Sequence, residues 1–209
     1  MNIVLQTAEI LIVEKASGWL TTPARTTDDP RPVLGRELQA HLGMQIYPVH
    51  RLDFEVSGLT LWAKTPLAHT RAQLWFEHGV VGKLYEGLSR PGVGEPPLDW
   101  QEWKSRLVRG KRRSFAASHG KDAVTRARVI AQEDGYWRWQ LVPVTGRPHQ
   151  LRVEMAAHGC PLIGDTLYGG ESARPDWIAL RAVELSFSRV PEAERFGLPE
   201  VVATSSLSL

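Results

Sequence analysis

Four consecutive apolar residues, Ile10-Leu11-Ile12-Val13, read as a short buried strand. A turn-like segment from Glu14 to Leu20 follows, with Gly18 as its flexible point. Thr21 to Pro32, rich in proline and carrying the adjacent Asp28 and Asp29, predicts a loop. Val33, Leu34, Leu38 and Leu42 recur at the spacing of one helical face, which predicts a helix over 33–42. Leu59 to Ala63 predicts a strand. Pro66 to His78 predicts a helix with Pro66 in its first turn, Leu67, Leu74 and Trp75 on a shared face, and Gly79 at its end. Lys83 to Leu88 predicts a further strand, and Arg90 to Pro97 a Pro/Gly-rich loop.

Farther along, Ala123–Ile130 and Tyr136–Val142 predict a hairpin turning at Glu133-Asp134-Gly135. In its second strand Trp137, Trp139 and Leu141 alternate with Tyr136, Arg138 and Gln140, the period of a strand with one buried face. Pro148 to His158 predicts a helix ended by Gly159. Pro161 to Gly170 is rich in turn residues, and Leu180 to Phe187 predicts a last strand with Val183, Leu185 and Phe187 on one face. The end of the chain, 200–209, lacks periodicity and is expected to be a flexible tail. There is no internal repeat. Strands outnumber helices and come in hairpins, so the expected fold is α+β, a mixed and mainly antiparallel central sheet with flanking helices.

Composition narrows the class. The 209 residues suffice for one large domain or two small ones, and 43% hydrophobic with 23% charged residues is ordinary for a globular protein. No stretch approaches membrane-spanning length and the N-terminus lacks a leader pattern, so the expected location is cytoplasmic. Cys160 is the single cysteine, which excludes an internal disulfide and a cysteine-based zinc site. The seven histidines show no paired ligand spacing, so no metal is expected. The net charge of +2 says little, but Lys104, Arg106, Arg109, Lys111, Arg112 and Arg113 form a run without an intervening acid. Such a run attracts phosphates, although a solvated loop would look the same.

The stretch His50 to Lys64 places a carboxylate, Asp53, between a basic pair (His50, Arg51) and a Ser57-Gly58 turn that opens an apolar run. A neighbouring cation favours the charged form of an acid, and an Asp before a Ser-Gly turn is also ordinary turn chemistry. A second informative stretch is Val144-Thr145-Gly146-Arg147-Pro148-His149-Gln150-Leu151-Arg152-Val153. There Arg147, at a predicted helix N-terminus, could hold a phosphate, and Arg152, about one turn on, could meet a carboxylate. Both could equally form surface ion pairs of little consequence.

His50-Arg51-Leu52-Asp53 with Ser57-Gly58-Leu59 resembles the signature of the RluA-type pseudouridine synthases. Thr145 to Val153, continuing through Gly164-Asp165-Thr166-Leu167-Tyr168-Gly169, resembles the second signature of that family. Lys83-Leu84-Tyr85 matches its Lys-x-Tyr strand, Gly120 to Thr125 resembles another family run, and Ile10 to Gly18 resembles its opening element with Ala16 in place of proline. The likeness runs from about Ile10 to Phe187. Departures are Val56 and Pro148 where the family usually has threonine, and Glu154 and Arg181 where it usually has histidine.

The resemblance implies a single catalytic domain over 1–209, with its core at about 10–190, a central cleft and no separate N-terminal RNA-binding domain. It implies isomerisation of a uridine to pseudouridine in ribosomal or transfer RNA without a cofactor; separately, a monomer is expected. Asp53 would be the catalytic carboxylate, attacking the nucleoside or drawing off a proton. Arg152 would pair with Asp53, Tyr85 would pack on the uracil, Arg51 would contact the RNA around the vacated base, and Leu180 would line the pocket. Arg147, Lys104, Arg109, Lys111, Arg112 and Arg113 would meet RNA phosphates. Two other classes compete: a non-catalytic RNA-binding protein of this fold, and a two-carboxylate hydrolase using Asp53 with Glu55 or Glu154.

Overall fold

The computed structural model describes residues 2–24 and 28–208; 25–27, inside the loop expected over Thr21–Pro32, lie outside the described residues. In chain order the elements are β1 (Asn2–Gln6), β2 (Ile10–Lys15), α1 (Leu34–Leu42), β3 (Tyr47–Pro48), β4 (Ser57–Ala63) and α2 (Pro66–Glu77). They continue with β5 (Gly82–Ser89), β6 (Gln101–Arg109), β7 (Ser114–Ala116), β8 (Lys121–Glu133), β9 (Tyr136–Pro143) and α3 (Gln150–Ala157). After a 3-10 turn at Thr166–Tyr168 come β10 (Leu180–Ser186), a second 3-10 turn at Glu192–Glu194, and β11 (Val201–Ala203). The class is α+β, as the alternation of apolar positions predicts. No helix among the described residues is long and apolar enough to cross a membrane.

Packing separates two compact units within the expected domain: the chain up to Gly82 with Ala182–Ser205, and Lys83–Arg181 with the residues from Ser206 on. In the first, β2 pairs antiparallel with both β1 and β4, β3 pairs with β4, and β11 with β10. The apolar run of β2 is continuous because both of its faces are covered. Ile10 and Ile12 pack with Leu59, Leu61 and the α2 residues Ala68, Ala72 and Trp75. Leu11 and Val13 pack with Trp62 and the α1 residues Leu34 and Leu38. On α2 the buried stripe is therefore Ala68, Ala72 and Trp75, while the expected partners Leu67 and Leu74 are exposed. Two alanines let the helix lie close on the sheet, and that proximity turns the neighbouring leucine stripe outward.

The second unit is an antiparallel ribbon in the order β5-β9-β8-β6-β7. The hairpin joining β8 to β9 turns at Asp134 and Gly135, both with positive φ (50° and 78°), the conformation that a two-residue hairpin loop requires. The alternation in β9 is as expected, with Trp137, Trp139 and Leu141 buried. Register puts Tyr85, Leu141 and Ala127 in one row across the sheet. Helix α3 covers this same face, with Val153 against Leu107 and Ala123. The helix begins at Gln150 and not at Pro148, because His149 adopts a left-handed conformation (φ 54°) and serves as its N-cap.

The end of the chain is not the flexible tail expected from its composition. Val202 is buried in the first unit through the pairing of β11 with Leu185 of β10. Leu207 is buried in the second, where its N–H donates to Glu86 (2.9 Å) and its carbonyl accepts from Arg138 (2.8 Å). Polar serines between two anchoring apolar residues conceal this from a periodicity reading.

Candidate active site

The loop carrying Asp53 lies just before β4 and is pinned through its backbone. Leu52 is buried, and its N–H and carbonyl both engage the Thr21 hydroxyl (3.3 and 3.1 Å). The Phe54 carbonyl accepts from the Gly18 N–H (3.0 Å) and from Lys15 Nζ (3.1 Å). Val56 N–H closes the turn onto the Asp53 carbonyl (3.2 Å). The entry to β4 is sterically strict, because a Cβ on Gly58 (φ 114°) would lie 2.2 Å from the Ala182 carbonyl oxygen. Only glycine admits this approach of two backbones. Asp53 itself is partly exposed, at the outer side of a turn whose apolar residues Leu52 and Val56 point inward.

Lys15 is the residue that sequence reasoning passed over. It has no exposure, and its ammonium donates to three carbonyls, Ala16 (2.9 Å), Trp19 (2.8 Å) and Phe54 (3.1 Å). Burial lowers its pKa to about 8, while the carboxylates of Asp53 and Glu55 act in the opposite direction. The signal available in sequence was a lysine ending an otherwise apolar strand. His50, by contrast, is not the cation expected beside Asp53: its Nδ1 accepts from the Leu61 N–H (3.3 Å) and its ring stacks on Phe76 at 4.6 Å. Arg51 is exposed, and no hydrogen bond or ion pair holds it among the described residues.

In the second unit the motif Thr145 to Arg152 builds a locked loop. Gln150 Oε1 accepts from the Thr145 hydroxyl (2.7 Å) and the Arg147 N–H (3.0 Å). Its Nε2 donates to the Val124 carbonyl (2.9 Å) and the Thr125 hydroxyl (3.0 Å). This buried amide thereby spends its hydrogen-bonding groups on fastening residues 145–147 to β8. Arg147 donates through Nε to the Asp122 carbonyl (2.8 Å), so it too is held to β8. Arg152 is buried and forms a two-point pair with Asp165, Nε to Oδ2 at 2.7 Å and Nη2 to Oδ1 at 2.9 Å. Asp165 lies within the second signature, and its partnership with Arg152 is a sequence-distant contact that only the fold reveals. Glu154, one of the departures from the family pattern, is buried and accepts from the Ser105 hydroxyl.

The basic run does not form one patch. Strand alternation in β6 sends Lys104 and Arg106 away from α3, and each meets an acid there: Lys104 with Glu102 (2.9 Å), Arg106 with Asp122 (3.2 Å). Arg109 has the other parity and donates to His149 Nε2 (2.8 Å). That fixes the His149 proton on Nδ1, which donates to the Tyr168 hydroxyl (3.0 Å); the hydroxyl accepts from the Ser114 N–H (2.8 Å) and donates to its carbonyl (3.1 Å). Lys111, Arg112 and Arg113 occupy the turn between β6 and β7, exposed and unpaired among the described residues. Tyr85 is half-buried on the α3 face of β5, and Leu180 is buried at the start of β10.

Comparison with known proteins identifies the family. Residues 9–157 match the model of the RNA pseudouridylate synthase family. The dual-specificity RNA pseudouridine synthase RluA of Vibrio cholerae is 30% identical over 194 residues, 90% of this chain and 77% of the relative. Its counterpart in Escherichia coli K12 is 32% identical over 178 residues, 82% of this chain and 78% of the relative. Among solved structures, human RNA pseudouridylate synthase domain containing 1 superposes with a TM-score of 0.78 at 25% identity, covering 98% of this chain and 83% of that one. A matched stretch that contains the Asp53 loop, Tyr85 and Arg152, together with relatives aligned over most of their length, establishes that this chain belongs to the RNA pseudouridine synthase family, of the RluA type.

Proposed function

We propose that this protein isomerises a uridine to pseudouridine within ribosomal or transfer RNA, with Asp53 as the catalytic carboxylate. The N1–C1′ bond breaks, the uracil turns, and C5 bonds to C1′; the proton on C5 leaves to solvent and N1 gains one. No bond is oxidised or reduced and no group is donated from outside. The observation that carries the reading is the Asp53 loop, whose backbone is held by Thr21, Gly18 and Lys15 within the family-matched stretch. A carboxylate that makes or breaks bonds gains most from such fixed placement.

In this reading Arg152, already oriented by Asp165, pairs with Asp53 and orients it. Tyr85 packs against the uracil and excludes water, so the detached base is recaptured. Leu180 contributes apolar wall. The target base must leave its stack, at about a few kcal/mol and less in a loop than in a duplex, and Arg51 meets the RNA it vacates. Lys111, Arg112 and Arg113 hold flanking phosphates, with Arg109 and Arg147 beside them; Lys104, already paired with Glu102, contributes least.

The test is tritium release from transfer and ribosomal RNA transcripts labelled at C5 of uridine, for wild type and Asp53→Asn in parallel. Release by wild type alone is the expected result. Equal release by both would remove Asp53 from the chemistry. Binding of these RNAs without release from any would favour a non-catalytic RNA-binding protein.

A further inference from the structure

Among the described residues Lys15 is wholly buried and Lys83 is half-buried, and the two differ in what receives their charge. The Lys15 ammonium is saturated by three carbonyl oxygens. The Lys83 ammonium, on β5, has no hydrogen bond and no carboxylate among the described residues. Burial lowers the Lys83 pKa, and no neighbouring charge opposes the shift. Partial loss of water around a charge is costly when nothing compensates it, and an arriving counter-charge offsets that cost.

The surroundings say which counter-charge. Lys83 lies two residues before Tyr85, so both side chains leave the same face of β5, about 7 Å apart along the strand. One flank of the ammonium is bare backbone: a Cβ built on Gly146 would stand 3.9 Å from Lys83 Nζ, and the glycine leaves that space open. The loop providing this flank is rigid, because Gln150 fastens Thr145 and Arg147. A charged donor, an open flank and a fixed backbone next to the proposed base-stacking tyrosine make a place for one anionic group of a nucleotide. A uracil carbonyl would satisfy a donor but leave the full charge unbalanced, whereas a phosphodiester supplies both.

We infer that Lys83 is a phosphate subsite, its ammonium taking a non-bridging oxygen of the RNA strand next to the uridine that packs on Tyr85. This rests on the reaction proposed above and adds to it a positioning residue that sets where the strand enters.

The experiment is a salt titration of binding to a fluorescein-labelled transfer RNA transcript, read by anisotropy for wild type, Lys83→Gln and Lys83→Arg, with thermal unfolding and tritium release measured alongside. Lys83→Gln keeps a donor and removes the charge. Its slope of log affinity against log salt is expected to be shallower by about 0.7, the loss of one phosphate contact on a single strand. KM should rise more than kcat falls, RNA-free thermal stability should hold or increase, and Lys83→Arg should restore the wild-type slope. A wild-type slope in Lys83→Gln overturns the subsite, as does a loss of RNA-free stability with the slope unchanged. Absence of tritium release by wild type would instead count against the proposed reaction, and the slopes are read independently of it.

Discussion

The ammonium of Lys15, wholly buried at the end of β2, donates to the carbonyl of Phe54, the residue that follows Asp53, across 3.1 Å. Its other two bonds go to Ala16 and Trp19, so one side chain joins the loop after β2 to the loop before β4. Truncating it removes three hydrogen bonds from a charged donor, worth about 1.5–3 kcal/mol each; the Phe54 carbonyl keeps the Gly18 N–H, while those of Ala16 and Trp19 lose this donor. Lys15→Met is therefore expected to lower the urea midpoint and to reduce kcat more than RNA affinity. A variant with wild-type kcat would show that the Asp53 loop does not depend on this tether.

The same lysine makes a pH prediction of definite sign. Its pKa is about 8 in the folded protein against an ordinary value of 10.5. Between those values the unfolded chain holds the proton and the folded chain does not, so the stability contributed by Lys15 rises with pH. It is complete above about 10.5 and is lost as pH falls through about 8. The unfolding free energy of wild type relative to Lys15→Met should climb across this window, by at most about 1.4 kcal/mol per pH unit. A difference that stays flat from pH 7 to 10.5 would contradict it.

Arg152 and Asp165 form a buried two-point ion pair. Breaking a buried pair by removing one partner is strongly destabilising, so Asp165→Asn should cost roughly 3–5 kcal/mol. Replacing both by leucine should cost much less than the sum of the single changes. Chemical denaturation of the four proteins in a double-mutant cycle measures the difference, and strict additivity would mean that the pair is not coupled.

Charges within the basic run should separate into two classes in a salt titration of RNA binding. Lys111→Ala, Arg112→Ala and Arg113→Ala combined remove unpaired cations and should flatten the slope by up to about 2, near 0.7 per phosphate contact. Lys104→Ala with Arg106→Ala removes cations already matched by Glu102 and Asp122 and should change it little. Equal effects of the two sets would mean that the Lys104 and Arg106 face of β6 meets RNA as well as the turn after it.

Tyr85 is proposed to stack, and base–aromatic stacking is worth about 1–3 kcal/mol. Tyr85→Ala should thus lose about ten- to a hundredfold in kcat/KM, while Tyr85→Phe, which keeps the ring, should stay near wild type. Equal losses would assign the hydroxyl, and not the ring, to the reaction.

Much of this protein was legible along the chain. Alternation in β9, the Asp-Gly hairpin, the apolar run of β2 and the spacing of α1 are local signals, set by backbone period and by which face leaves water. The two signatures around Asp53 and Arg152 marked the family for the same reason: they are contiguous in sequence. Tertiary structure decided the rest, because partners in an ion pair or hydrogen bond are chosen by distance in space. The chain could not say that Lys15 would reach Phe54, that Arg152 would hold Asp165, or that His50 would turn its Nδ1 to the Leu61 N–H. Nor could it show that alternation along β6 divides the basic run, that two alanines would win the buried face of α2 from its leucines, or that Leu207 would be drawn into a core. In each case a local rule left two or more partners open, and packing of distant segments selected one.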